Sequence, residues 1–132
     1  MEHVLSGALL DTSVVIGGIG VLETEATLAI SMITLGELRA GVALAANPEI
    51  RASRQSRLSV VRDTFEPIPV DEAVAEQYGE ILASARSAGR ITNATDLLII
   101  ATASATGRRL YTRDSKQASL ARAAGVLVHA VT

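Results

Sequence analysis

The sequence contains no cysteine and no tryptophan, and its few aromatic residues are Phe65, Tyr78 and Tyr111. Without cysteine there is no disulfide framework and no thiol chemistry, which is compatible with a cytoplasmic protein. So few aromatic rings argue against proteins that read single-stranded nucleic acid by stacking successive bases on aromatic side chains. The chemistry of the chain therefore has to come from its charged and hydroxyl residues.

The sequence also lacks a basic excess and a long apolar run. Its 12 basic residues are outnumbered by 14 acidic ones, so any binding of nucleic acid has to come from local patches of charge. The apolar runs are far shorter than the ~20 residues of a membrane span. The first residues do not have the basic and then apolar pattern of a signal peptide. We therefore expect a cytoplasmic protein that makes no contact with membranes.

Short apolar segments alternate with helical patterns along the chain, whose 132 residues fit a single domain over 1–132. The patterns predict strands at 4–10, 28–32, 66–70, 108–114 and 126–131. They predict a short helix after residue 11, broken by the glycines of 16–20, and further helices at 34–46, 49–62, 71–88, 95–106 and 115–124. Such alternation indicates an α/β protein in which helices cover both faces of a mostly parallel sheet.

Two acidic residues, Asp11 and Asp114, stand where predicted strands end. Ligands of open α/β sheets bind outside the carboxyl ends of the strands, so both residues are candidates for a functional site. Each is equally placed to be the N-cap of the helix that follows it.

Glu37 lies on a predicted helix face that it shares with apolar and small residues, namely Ile33, Ala40, Gly41 and Leu44. A buried carboxylate on such a face is destabilising unless it is protonated, hydrogen-bonded or bound to a cation. Arg39 points elsewhere at a spacing of two, so the alternatives are a more distant arginine and a functional role.

Asp96 heads the apolar segment NATDLLIIATA at 93–103. Asn93 is the expected N-cap of this helix and Asp96 its third residue, where the helix dipole favours a negative charge. Backbone amides at a helix start would keep the carboxylate ionised and oriented, which a metal ligand also requires. Capping and a functional role are therefore compatible at this position.

Parallel topology would bring the four acids to one edge of the sheet. Clustered carboxylates repel one another and have raised, coupled pKa values unless a divalent cation neutralises them. Ligation by oxygen alone selects Mg²⁺ or Mn²⁺, and neither His3 nor His129 has a partner at metal-ligand spacing.

The ordered segments LLDTSVV, SMITLGELRAG, TDLLIIATASATG and LYTRD resemble the PIN-domain family and, within it, the VapC toxins of bacterial VapBC toxin–antitoxin pairs. The resemblance extends over essentially the whole chain. It implies a PIN-like three-layer α/β/α fold and an endoribonuclease that depends on Mg²⁺ or Mn²⁺. It also implies an RNA substrate, a VapB-type antitoxin as partner, and a homodimer.

Carried over by position, the resemblance implies an acidic metal site formed by Asp11, Glu37, Asp96 and Asp114. It implies supporting hydroxyl groups at Thr12 or Ser13 and at Thr112. The last motif departs from the family pattern Thr-x-Asn-x-x-Asp-Phe, because Asp114 holds the Asn position and Gln117 and Ala118 replace the Asp-Phe pair. Whether Asp114 is a direct ligand, and whether one metal or two are bound, stays open.

Three other functions compete with a nuclease. A haloacid-dehalogenase-like phosphotransfer domain needs a second Asp two residues after Asp11, where Ser13 stands. A receiver-like phospho-acceptor domain needs a late Lys at a strand end, whereas Lys116 lies in a predicted helix. A degenerate PIN module would bind RNA or a partner without cleaving it.

Any contacts to phosphate have to come from arginines, since all but one of the basic residues are Arg. Two groups are candidates, Arg51, Arg54, Arg57 and Arg62 on one helix and Arg108, Arg109 and Arg113 around the last motif. Each of them is also compatible with an ordinary solvated surface.

Overall fold

The computed structural model describes residues 7–19 and 26–132, so residues 4–6 of the first predicted strand, His3 and Gly20 lie outside the described part. The described elements, in chain order, are β1 (Gly7–Leu10), α1 (Thr12–Gly17), β2 (Thr27–Ile30), α2 (Met32–Ala43), α3 (Pro48–Thr64), α4 (Glu72–Ser87), α5 (Ala94–Thr106), β3 (Arg109–Thr112), α6 (Ser115–Ala123) and β4 (Val128–Ala130).

The four strands form one sheet in the order β2-β1-β3-β4, and every pairing is parallel. Leu10 is in register with Ile30 of β2 on one side and with Tyr111 of β3 on the other. The carboxyl ends of the central strands β1 and β3 therefore lie side by side. The predicted parallel α/β architecture is confirmed.

Alternating residues of the strands pack into two separate hydrophobic cores, one on each face of the sheet, because successive side chains of a strand point to opposite faces. Leu9 and Leu110 pack with buried residues of α4, α5 and α6 on one face. Leu10 and Tyr111 pack with buried residues of α1, α2 and α3 on the other. The sheet is thus the middle layer of a three-layer α/β/α fold.

Helix boundaries follow local capping. Asn47 caps α3, whose first residue Pro48 has no amide hydrogen to satisfy, and Gly107 ends α5 in the left-handed conformation with φ 64°. Among the helices of 7–19 and 26–132, none has both the length and the apolar content needed to cross a membrane.

The predicted strand at 66–70 is wrong. Ile68 alone pairs with the sheet, donating its amide to Ile30 O at 2.9 Å and accepting from the Met32 amide at 2.9 Å. Pro67 and Pro69 on either side of it have no amide hydrogen, so the pairing cannot extend.

The predicted strand at 28–32 and helix at 34–46 also need correction, because β2 ends at Ile30 and α2 begins at Met32. The Ser31 side chain is the physical reason, since its hydroxyl accepts from the Ile33 amide at 3.0 Å and starts the helix early. The last strand is likewise shorter than 126–131, and its His129 ring stacks on Tyr111 with 4.7 Å between centroids.

Candidate active site

Asp11 follows β1 directly and is 4% exposed. Its backbone amide donates to Tyr111 O on β3 at 3.0 Å, which fixes it at the edge of the sheet. Its carboxylate accepts from the Val14 amide at 3.2 Å and from the Ser13 hydroxyl at 2.5 Å. Asp11 is therefore the N-cap of α1, as one of the two sequence interpretations expected, and Ser13 supports it directly.

Glu37 extends from α2 towards the start of α1 and is half-buried. The Thr12 hydroxyl donates to Glu37 Oε1 and lies 3.2 Å from the hydroxyl of Thr34. Arg39 does not pair with Glu37, since its guanidinium donates to Gln55 Oε1 at 3.5 Å. The buried hydroxyl of Thr34 was not predicted as part of this group, although it lies three residues before Glu37 on the same helix.

The apolar stripe predicted around Glu37 is wrong in its second half. Ala40 and Leu44 are exposed, Leu44 by 79%. The core face of α2 consists instead of Thr34, Leu38 and Val42, which recur every four residues. Glu37 follows Thr34 by three residues, about 60° around the helix, so it stands at the border of the core face.

Asp96 is the third residue of α5. Asn93 caps the helix by accepting from the Asp96 amide at 2.9 Å, and the Asn93 side-chain amide donates to Asp96 Oδ2 at 3.0 Å. The predicted cap at Asn93, with Asp96 as the third residue of the helix, is confirmed. Burial raises the pKa of Asp96, and the charges of Glu37, Asp114 and Asp11 raise it further, whereas the Asn93 hydrogen bond lowers it.

Asp114 lies two residues beyond β3 and is exposed. Its carboxylate caps α6 by accepting from the amides of Lys116 at 2.9 Å and Gln117 at 3.3 Å. The Thr112 hydroxyl accepts from the Asp114 amide at 3.0 Å, so it shapes the turn between β3 and α6. The adjoining Arg113 amide donates to Ser13 Oγ at 2.9 Å, which ties this turn to α1.

The four predicted acids thus share one electrostatic neighbourhood, because three of them act on the pKa of the fourth. Their oxygen donors are the kind that a hard divalent cation prefers, so the donor set fits Mg²⁺ or Mn²⁺ in its chemistry. As arranged, however, no three acidic or histidine side chains within 7–19 and 26–132 stand close enough together to hold a metal ion.

Gln117, which stands where the family pattern has Asp, was not predicted to contact this group. It is 3% exposed, and its side-chain amide donates to Asp96 O at 3.1 Å. This contact between α6 and α5 joins residues far apart in sequence, and no periodic pattern signals it.

Comparison with known proteins agrees with the fold. The family described as PIN domain matches residues 8–123. Ribonuclease VapC4 of Mycobacterium tuberculosis is 37% identical over 86% of this chain and 90% of its own length. The VapBC-5 structure from the same organism, a member of the VapBC family of toxin–antitoxin systems, superposes with a TM-score of 0.84. It is 35% identical and covers 96% of this chain and 99% of its own.

A second solved structure, FitAcB from Neisseria gonorrhoeae, has a TM-score of 0.73 and 31% identity over 92% of this chain and 95% of its own. The shared class is a three-layer α/β/α protein with a parallel central sheet. The chain belongs to the PIN-domain family and, within it, to the VapC type. This membership replaces the dehalogenase-like and receiver-like interpretations.

Proposed function

We propose that this chain is an endoribonuclease toxin that depends on Mg²⁺ or Mn²⁺. The observation that carries the proposal is the set of hydrogen bonds that connects the acids. Ser13 joins Asp11 to the turn before Asp114, and Gln117 joins Asp114 to Asp96. Burial and the neighbouring acids also raise the pKa of Asp96. Perturbed carboxylates of this kind are typical of functional sites. The similarity to a relative named as a ribonuclease supports RNA as the substrate.

Asp11, Glu37, Asp96 and Asp114 are the residues that would hold the cation. When bound, the ion would activate a water for attack on the phosphodiester and offset the charge that builds up on the phosphate. A cation among the four acids would also relieve the repulsion that raises the pKa of Asp96.

The hydroxyl groups around the acids act as positioning groups in this proposal. Ser13 orients Asp11 and Thr12 orients Glu37, each through a hydrogen bond to a carboxylate oxygen. Thr112 fixes the turn that carries Asp114. Asn93 holds Asp96 at the start of α5.

We further propose that the chain acts as a single domain in the cytoplasm, as a homodimer that a VapB-type antitoxin inhibits. The VapBC-5 neighbour, from a toxin–antitoxin system, supports a partner of this kind.

The direct test is incubation of the purified protein with total RNA, with Mg²⁺ or Mn²⁺ and in parallel with a chelator. We expect cleavage with metal, none with chelator, and none by Asp96→Asn. Asp71→Asn is a matched control because Asp71 also caps a helix, α4, but does not belong to the four acids. Equal cleavage under all these conditions would contradict the proposal.

A second candidate is a degenerate PIN module that binds RNA or a partner without cleavage. The separation of the acidic side chains in the described part of the chain favours it. Binding of RNA without cleavage at any metal concentration would select this function.

A further inference from the structure

A groove of about 470 Å³ lies between α2 and α3, and Glu37 is one of the residues that line it. Its lining residues are Ile16, Glu37, Leu38, Gly41, Ile50, Ser53, Arg54 and Arg57. One acid of the proposed metal site therefore also lines this groove, so a ligand bound there would lie beside that site.

Two arginines of the groove form no ion pair with an acid of the described residues. Arg54 and Arg57 are both half-buried and, three residues apart, lie on one face of α3. Arg54 donates to Gly41 O at 2.8 Å through Nη1, and its other N–H groups are available. Within 7–19 and 26–132 neither arginine forms an ion pair.

We propose that Arg54 and Arg57 bind phosphates of a single-stranded RNA and position its backbone beside Glu37. This inference rests on the proposed function. Guanidinium groups match the geometry of phosphate oxygens. Ile16, which is 52% exposed, and Ile50 supply apolar walls for ribose and base.

The other two candidate arginines on α3, Arg51 and Arg62, do not line this groove. Arg51 donates to Ala45 O at 3.4 Å, and Arg62 lines a different, more apolar groove with Met32 and Leu35. Of the four, Arg54 and Arg57 alone line the groove that contains Glu37.

The test measures binding of a short fluorescein-labelled single-stranded RNA of mixed sequence to the full chain by anisotropy. EDTA is present so that binding is read without cleavage. We expect Arg54→Gln and Arg57→Gln each to weaken binding by about tenfold. Each should also reduce the slope of log affinity against log salt concentration by about 0.7.

Arg86→Gln on the exposed surface of α4 is the matched control and should bind like the wild type. Arg54→Gln also removes the bond to Gly41, so Arg57→Gln alone decides the test if the first variant unfolds. Wild-type affinity in Arg57→Gln, or an equal loss in Arg86→Gln, would overturn the proposal.

A labelled polyglutamate peptide tests the other class of ligand. If Arg57→Gln weakens the peptide but not the RNA, the groove is a site for an acidic protein segment and the RNA proposal is wrong. None of these measurements uses cleavage. A chain that does not cleave RNA can therefore be distinguished from a chain whose groove arginines do not bind it.

A second, independent observation concerns Gln117. Its backbone amide donates to Asp114 Oδ1 at 3.3 Å and its side-chain Nε2 to Asp96 O at 3.1 Å. A carbonyl oxygen only accepts, so the amide nitrogen has to face Asp96. The side-chain oxygen is then buried with no hydrogen-bond partner among the described residues.

A buried oxygen without a partner is destabilising, and Met or Leu would fill the same space without it. We infer that Gln117 is a positioning residue that fixes the start of α5, with Asp96, relative to Asp114. The contact joins the first turns of two helices that each carry an acid of the proposed site.

The test substitutes Gln117→Met in the full chain. We expect a melting temperature in EDTA at least equal to that of the wild type, faster hydrogen exchange of the Leu98 amide, and Mn²⁺ affinity about tenfold lower by calorimetry. Thr106→Val, which removes a side-chain hydrogen bond to Thr102 O at the far end of the same helix, is the control and should leave both exchange and affinity unchanged.

Unchanged exchange in Gln117→Met would overturn the inference, and Gln117→Leu repeats the test if the Met variant does not fold. If the wild type binds no Mn²⁺, the metal proposal fails, and the exchange rate alone decides the role of Gln117.

Discussion

An aspartate stands at the start of both α1 and α5, but the surrounding structure holds the two carboxylates differently. Asp11 is buried and accepts from a backbone amide and a hydroxyl, so capping accounts for its geometry. Asp96 is half-buried and is held by Asn93, while burial and three acids raise its pKa. A cap residue needs no such repulsion, so Asp96 is the clearer sign of a functional site.

Replacing either aspartate by asparagine gives the largest expected effect. Asn caps a helix about as well as Asp, so Asp11→Asn should keep the fold. Under the proposed function, we expect Asp11→Asn and Asp96→Asn each to lower kcat/KM for RNA cleavage by about 10³-fold. Initial rates on a fluorogenic RNA with Mn²⁺ measure this, with Asp71→Asn as control. If Asp11→Asn cleaves at the wild-type rate, Asp11 is a cap and nothing more.

The hydroxyl that holds Glu37 should have a smaller effect. Thr12→Val removes the hydrogen bond to Glu37 Oε1, and we expect cleavage to fall about tenfold with little change in melting temperature. Thr12→Ser keeps the hydroxyl and should retain most of the rate. Equal rates for Thr12→Val and the wild type would mean that Thr12 does not position Glu37 for the reaction.

The capping role of Asp11 predicts an effect on stability that its amide variant does not share. Asp11→Ala loses the acceptor for the Val14 amide, and we expect the free energy of unfolding to fall by about 1 kcal/mol. Asp11→Asn should stay close to the wild type. Urea denaturation in EDTA compares the three proteins, and equal losses in both variants would show that charge, not capping, stabilises α1.

The pH dependence of stability should show the smallest effect. At Asp96 its sign is opposite to that of a carboxylate whose pKa folding lowers. Because the folded pKa of Asp96 is raised, the folded chain holds this proton more tightly, and stability falls as pH rises from 3.8 through the folded value. Above that window Asp96→Asn should be more stable than the wild type in EDTA. Below pH 3.8 the two should converge, and parallel curves at all pH values would contradict the raised pKa.

Local signals made most of the fold predictable from the sequence. Strands that end at Asp11 and near Asp114, together with the cap at Asn93, depend on neighbours within a few residues. At 66–70 the two prolines predict a short strand with irregular ends, but Pro67 and Pro69 lack amide hydrogens on both sides of Ile68, so only a single bridge forms.

Contacts between distant elements were not predictable in the same way. The hydrogen bonds of Thr12 with Glu37 and of Gln117 with Asp96 join different helices, and a single sequence carries no spacing that reports them. The core face of α2 was misassigned because apolar residues lie on more than one side of this helix, so the pattern does not distinguish the buried Leu38 and Val42 from the exposed Ala40 and Leu44.

The most direct test of whether the four acids form one metal site is to measure Mn²⁺ binding. The wild type is compared with four amide variants, Asp11→Asn, Glu37→Gln, Asp96→Asn and Asp114→Asn. Electron paramagnetic resonance of free Mn²⁺ gives the affinity without any RNA. We predict that the wild type binds, that each variant binds more weakly, and that Asp71→Asn binds like the wild type. Affinity that is absent in the wild type, or unchanged in all four variants, would contradict a shared metal site.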